Sequence, residues 1–281
     1  MPVIMFTGQG SQFPGMGRDV LDEFPEHLAQ ADEVLGYSVR DLCLHDEHGR
    51  LASTRYAQPA LYVVNVLTYL RLRRECGVEP SALLGHSLGE YCALHVAGVF
   101  DFASGLALVA RRGELMADAA GGGMAAVIGL DADAVHDALA SWSGGGLWAA
   151  GYNTPDQTVL SGSSEQVRAA RQHFLDAGAR SYVPLNVSGA FHSPLMASAK
   201  AEFARVLDRA VLRAPRIPVV SNSTGRLHTA DRLGLDLGEQ ISGPVRWVQS
   251  VRLLAGRGET GWIEAGPKKV LTPMVGAVLA A

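Results

Sequence analysis

Cysteine is scarce in this chain. Cys43, Cys76 and Cys92 are odd in number and scattered through 281 residues, with no CxxC pair and no Cys/His cluster at metal-ligand spacing. That excludes a disulfide-stapled scaffold and a zinc site, and points to a reducing compartment. A surplus of basic residues is missing too. The formal net charge is -4, so nothing here is built to neutralise a phosphate backbone, and nucleic acid is not a partner. No apolar run reaches membrane-spanning length, and Met1–Phe6 is an apolar start with neither a basic leader nor a small-residue cleavage site. The expectation is a cytoplasmic protein without a membrane partner. Internal repeats and low-complexity tracts are also missing. What is present is apolar material: 48% of residues are hydrophobic, enough to bury one large core, or one core with a smaller lobe attached.

The pattern along the chain is α/β. Val3–Phe6 is a short apolar run ended by glycine, as in a strand buried on both faces. Helical periodicity over 58–74, a strand at Leu83-Leu84, helical stretches over 89–97 and 101–119, and an Asp101 placed to cap the last of these follow in alternation. After Gly121-Gly122-Gly123 the rhythm changes. Strand-like 124–128, helix-like 132–142, strand-like 158–161, a helix over 164–177 and a strand over 181–187 read as β-α-β-α-β, a small lobe inserted over 122–187 into a larger one formed by 1–121 and 188–281. The main pattern resumes with a helix over 193–209, a strand over 217–221 and a closing strand-turn-helix over 262–279.

The sharpest chemical signal is Gly85-His86-Ser87-Leu88-Gly89, a GxSxG between a strand and a helix. A sharp strand-to-helix turn leaves no room for side chains flanking the serine, and it exposes Oγ where the helix dipole and free N–H groups favour an oxyanion. The bland reading is a glycine-tightened turn whose serine caps the helix. A nucleophilic serine needs a base. Of nine histidines, His192 lies in a loop between the inserted lobe and the next helix, where a side chain can project into a cleft. No carboxylate between the two declares itself as a third member, which leaves open that something other than an acid orients the base.

Two further features are open to two readings. Gly8-Gln9-Gly10-Ser11-Gln12 follows the first strand but lacks both the third glycine of a dinucleotide fingerprint and the Gly-Lys-Ser/Thr of a Walker loop. It is either a plain turn or a loop bringing Gln9 to the elbow as an oxyanion donor. On the helix over 101–119, Arg112 falls at the margin of the apolar face made by Phe102, Leu106, Val109, Gly113 and Met116. An arginine at a core edge is held either by an internal ion pair or by an anionic ligand, such as the free carboxylate of a dicarboxylic acyl group.

Together, Gly8–Gln12, Gln58-Pro59-Ala60, Gly85–Glu90, Arg112–Met116, Asn153–Gln157 and Gly189-Ala190-Phe191-His192 resemble, in order and spacing over nearly the whole chain, the malonyl-CoA:acyl carrier protein transacylases. At Ala60–Asn65 and Gly122–Val127 the wording is similar to that of freestanding polyketide acyltransferases, which serve synthases in trans. The resemblance implies a hydrolase-like large lobe with a mostly parallel sheet and an inserted ferredoxin-like lobe. It implies Ser87 as nucleophile, His192 as general base and acid, Arg112 as ligand of the malonyl carboxylate, and backbone N–H groups of Gln9 and Leu88 as the oxyanion hole. A backbone carbonyl at Gln240 would orient the histidine, and Gln58 would line the site. Phe191 resembles the residue of malonyl-selective domains, although Gly189 stands where many of those carry histidine. The substrates implied are malonyl-CoA and the phosphopantetheine of an acyl carrier protein, with no bound cofactor or metal. A basic patch at Lys200, Arg205 and Arg209, or at Lys268 and Lys269, would meet the acidic carrier; the alternative is a solvated surface. An acyl hydrolase clearing stalled carriers and a noncatalytic carrier-binding scaffold are the competing readings.

Overall fold

The computed structural model describes residues 1–119 and 121–281. β1 (Val3–Phe6) is buried at every residue because it is the middle strand of a parallel sheet, between β2 (Ala82–Gly85) and β7 (Trp262–Ala265). Burial on both faces is why Val-Ile-Met-Phe shows no polar alternation. The register pairs Phe6 with both Gly85 and Ala265, so the three strands end level and their following loops emerge together. In an open parallel sheet that edge is where ligands bind.

The stretch over 217–221, expected as a strand, is shorter than that. Val219 bridges Leu83 in parallel and Val220 bridges Leu227, and no longer ladder forms. Pro218 has no N–H to give, although its carbonyl accepts from Leu83 N at 2.8 Å.

Helices α1 (Pro25–Leu35), α2 (Val39–Leu44) and α3 (Thr54–Cys76) precede β2, and α4 (Gly89–Val96) and α5 (Phe102–Asp118) follow it. Asp101 caps α5, its Oδ1 accepting from Ser104 N at 2.7 Å.

The second sheet is antiparallel. It holds β3 (Gly123–Ile128), β4 (Leu147–Thr154), β5 (Gln157–Gly162) and β6 (Ser181–Pro184) in the order β4-β5-β3-β6. Its helices are α6 (Ala132–Ser141), α7 (Ser164–Ala169) and α8 (Arg171–Asp176). The sequence pattern lacks β4 and runs α7 and α8 together; the chain is β-α-β-β-α-α-β, broken at Ala170, where ψ opens to -12°. Strand order and connection are those of a ferredoxin-like unit. Val127, Val135, Leu160 and Phe174 belong to a core of this lobe's own, separate from the cluster around Ile4, Phe6 and Leu83. The fold is α/β, a mostly parallel lobe carrying an antiparallel one.

The remaining helices are α9 (Ala197–Leu207), α10 (Leu233–Ser242), α11 (Trp247–Gly256) and α12 (Leu271–Leu279). Between α10 and α11, Val245 exchanges backbone bonds with β4: its N–H donates to Ala150 O and its carbonyl accepts from Tyr152 N, both at 2.9 Å. The two sheets are thereby tied by main chain. No helix among the described residues is long and apolar enough to cross a membrane.

Candidate functional site

The elbow after β2 is forced by contact. A Cβ on Gly85 would stand 2.0 Å from the carbonyl carbon of Gly89, and one on Gly89 would stand 2.1 Å from Phe6 O. Only glycine fits either place. Ser87 between them sits at φ 52°, and His192 at φ 58°. Asp46 is the other non-glycine residue in this left-handed region among the described residues. Such backbone costs about 1–3 kcal/mol per residue and persists where the surroundings over-determine it.

Those surroundings bring Ser87 and His192 together from 105 positions apart. Ser87 Oγ lies 2.8 Å from His192 Nε2. On the other side of the ring, Nδ1 faces two backbone carbonyls, Gln240 O at 2.7 Å and Gly243 O at 3.2 Å. Carbonyls only accept, so Nδ1 carries the hydrogen and Nε2 offers its lone pair to the serine O–H. No carboxylate among the described residues touches the imidazole. Burial first, and the Arg112 charge second, push His192 down to about 3, which keeps the ring a neutral acceptor.

Arg112 reaches the same serine from α5. It is fully buried, and Nη2 donates to Ser87 Oγ at 3.0 Å and to Gln240 Oε1 at 2.9 Å, while Nη1 donates to Gln58 Oε1 at 2.6 Å. Its guanidinium carbon lies 5.5 Å from the centre of the Tyr91 ring. The internal ion pair weighed from the sequence does not form: all three hydrogen-bond partners are neutral, and Nε has none among the described residues. Burial pulls this guanidinium down, yet arginine stays charged in proteins. A buried cation is thus held open beside a serine hydroxyl.

Gln9 and Leu88 flank the serine differently. The Gln9 side chain is engaged, Nε2 donating to Thr54 Oγ1 at 3.0 Å, whereas its backbone N–H and that of Leu88 donate to no backbone carbonyl among the described residues. The Ser87 N–H is occupied by Asn222 Oδ1 at 2.6 Å. Gln58, buried in α3, spends its amide oxygen on Arg112 and its nitrogen on Met116 Sδ at 3.6 Å. Phe191 is 5% exposed and lines the cleft. A Cβ on Gly189 would stand 2.5 Å from the Phe191 ring, so the glycine is what lets that ring take its place.

The cleft has a volume of about 420 Å³ and takes its walls from both lobes: Gln9, Ser87 and His192 from one, and Met124, Asn153 and Val159 from the other. Sequence reasoning assigned no role to His86, Asn153, Asn222 or Glu90. His86 is turned from the serine toward the smaller lobe, its Nε2 3.0 Å from Asn153 Oδ1, while Asn153 Nδ2 donates to Gln157 Oε1. The quoted motifs contained His86, Glu90 and Asn153, and only their spatial meeting assigns the contacts. Of the basic candidates, Lys200 pairs with Glu239, Arg205 with Glu202, Lys269 donates to Glu264 O, and Lys268 lies over the Phe13 ring, next in the chain to the cleft residue Gln12.

Known proteins share this arrangement of lobes. The family described as "Acyl transferase domain" matches residues 3–277. A polyketide biosynthesis malonyl CoA-acyl carrier protein transacylase of Bacillus velezensis, BaeC, is 45% identical over 276 residues, covering 98% of this chain and 96% of that one. The polyketide biosynthesis protein ThaF of Burkholderia thailandensis is 44% identical over 279 residues, but this chain spans only 24% of its length. Among solved structures, a malonyl CoA-acyl carrier protein transacylase from Burkholderia pseudomallei superposes with a TM-score of 0.95 at 43% identity, covering 100% of this chain and 98% of that one. With the family's pattern met from the first strand to the last helix, this chain belongs to the acyl transferase domain family.

Proposed function

We propose that the protein moves a malonyl group from malonyl-CoA to the phosphopantetheine thiol of an acyl carrier protein through an acyl-serine at Ser87, supplying a polyketide synthase. One observation carries the reading: a fully buried arginine without a carboxylate partner among the described residues, 3.0 Å from the serine hydroxyl. A buried guanidinium needs an anion, and an acyl group ending in a carboxylate brings one to within reach of the nucleophile. The polyketide role is supported by relatives named for polyketide biosynthesis at 44–45% identity.

In the first half-reaction His192 Nε2 takes the Ser87 proton as Oγ attacks the thioester carbon. Gln9 and Leu88 N–H groups hold the oxyanion, the C–S bond breaks, and coenzyme A leaves with the proton from His192. In the second, His192 deprotonates the carrier thiol, which attacks the acyl-serine and restores the Ser87 hydroxyl. The kinetics are ping-pong. Phe191 fills space beside the acyl group and favours malonyl over its methyl-branched homologue. The Gln240 carbonyl, already 2.7 Å from Nδ1, stabilises the imidazolium in place of an acid. Coenzyme A enters only as substrate, and the one prosthetic group in the cycle is the carrier's own. The scheme places the enzyme in the cytoplasm, which suits three free cysteines, two of them buried.

Brief incubation with malonyl-CoA followed by intact-mass measurement tests this. A malonyl adduct present in the wild type and missing in Ser87→Ala is the expected result. Release of coenzyme A without any adduct would favour the hydrolase instead, and neither adduct nor release would refute transfer.

A further inference from the structure

Behind the elbow lies a buried polar cluster that none of these steps uses. Glu90, in the first turn of α4, is fully buried. Its Oε1 accepts from His228 Nε2 at 2.6 Å, and its Oε2 accepts from Gln240 Nε2 at 2.6 Å and Asn222 N at 3.1 Å. Among the described residues the one basic side chain in contact with it is His228, whose other nitrogen stands 3.8 Å from Asp236 Oδ2. Replacing such a buried pair by apolar residues of similar size is often neutral or stabilising, so stability alone gives no reason for a carboxylate here.

The reason is in what Gln240 does. Its amide oxygen accepts from Arg112 Nη2 at 2.9 Å, and its amide nitrogen donates to Glu90 and to Ser87 O at 2.9 Å. A guanidinium only donates and a carboxylate only accepts. The two charges therefore dictate which way the amide faces: turned over, it would set NH₂ against Arg112 and oxygen against Glu90 and Ser87 O. Asn222 is read by the same carboxylate through its backbone N–H, while its side chain brackets the elbow, accepting from Ser87 N and donating to Gly85 O at 2.7 Å. One carboxylate thus fixes the Gln240 amide and anchors the backbone of Asn222, the two residues that grip the nucleophile's backbone, and Gln240 aims the arginine.

We propose that Glu90 and His228 form a positioning pair that locks the Gln240 amide and so holds the Arg112 guanidinium in the orientation that receives the malonyl carboxylate. The pair touches neither substrate nor reacting atoms. The proposal rests on the malonyl-transfer reading above. It makes a prediction that a merely structural role would not: loss of the pair lowers malonyl transfer more than acetyl transfer, because both reactions use Ser87 and His192 but only malonyl uses the aim of Arg112.

The test compares kcat/KM for malonyl-CoA and acetyl-CoA in the wild type, Glu90→Gln, His228→Gln and the double variant Glu90→Leu/His228→Leu, each checked for folding by thermal melting. In the double variant the malonyl-to-acetyl ratio is expected to fall by about tenfold or more, the size seen when the partners that orient metal ligands are removed. Glu90→Gln should stay within about threefold of wild type. Its amide oxygen can still accept from Gln240 and Asn222, and His228 can accept from its NH₂ by moving its proton to the nitrogen facing Asp236. His228→Gln, which still donates to Glu90, should behave likewise. A folded double variant with the wild-type ratio would overturn the proposal, as would conservative variants that lose the ratio as fully as leucine does. If the double variant does not fold, Glu90→Ala, which removes the acceptor of Gln240 Nε2 and Asn222 N, takes its place under the same expectation. A wild type that takes up no malonyl group would sink the transfer reading and this inference with it; a transferring wild type whose folded apolar variant keeps the wild-type ratio sinks only the inference.

Discussion

Replacing Arg112 with alanine separates recognition of the acyl group from chemistry on it. In the resting site the guanidinium satisfies Gln58 Oε1, Gln240 Oε1 and Ser87 Oγ, so truncation strands two buried amide oxygens whatever the substrate. That shared loosening leaves two acceptors unsatisfied, about 1–3 kcal/mol each in the stability of the fold, and because it is present before either substrate binds, acetyl transfer should fall by roughly tenfold or less. Malonyl transfer loses in addition a charge-assisted pair in a desolvated site, about 2–5 kcal/mol, which corresponds to a loss of about 30- to 5000-fold in kcat/KM. Lysine should fall between, since it keeps the charge but not the planar fork that bridges Gln58, Gln240 and the ligand. The assay is carrier acylation followed by mass, with both thioesters run on each variant and thermal melts as a folding control. Losses of equal size for malonyl and acetyl would mean that Arg112 serves the fold or the serine, and the carboxylate assignment would be wrong.

Three other expectations come from the same geometry. With His192 held at about 3 in place of its ordinary 6.5, the base stays neutral in acid, so kcat/KM should decline only well below pH 6.5; Arg112→Gln removes a charge that lowers His192 and should move that acid limb upward. A midpoint at 6.5 in the wild type would contradict this. Gly89→Ala drives a methyl group into Phe6 O and should cost about 3 kcal/mol or more in a denaturant titration; a loss under about 1 kcal/mol would show that the elbow has room to shift. Phe191→Ser empties space at the acyl end of the cleft, and the ratio of methylmalonyl to malonyl labelling of Ser87 should rise, whereas an unchanged ratio would remove Phe191 from selectivity.

Local chemistry was legible where one short segment holds both cause and effect. The elbow glycines, the serine between them and the strand before it are neighbours in sequence, and the steric reason for GxSxG is the one met in the fold. Arg112 was legible as an anomaly, a charge at the edge of an apolar face, but its neutral partners lie 54 and 128 positions away. The cluster of Glu90, Asn222, His228 and Gln240 was invisible for that reason: no spacing relates residues that meet only after folding. β4 escaped because Leu-Trp-Ala-Ala-Gly-Tyr-Asn-Thr is poor in β-branched residues and its register with β5 shifts twice, between Ala149 and Gly151 and between Tyr152 and Thr154. α10 carries two glycines and has no side-chain cap, so its sequence lacks the usual start mark, although Gly243-Pro244 supplies a stop and Gln240 on it is central to the site.

The left-handed backbone at Ser87 bears on how such a protein would age in evolution. Glycine adopts φ 52° without strain, so Ser87→Gly should stabilise the fold by about 1 kcal/mol while abolishing acylation. Purifying selection on transfer is then the force that keeps serine there; selection on folding pushes the other way. In a lineage where transfer became dispensable, the nucleophile would be among the first letters to drift, and its loss would leave a sturdier protein of the same shape.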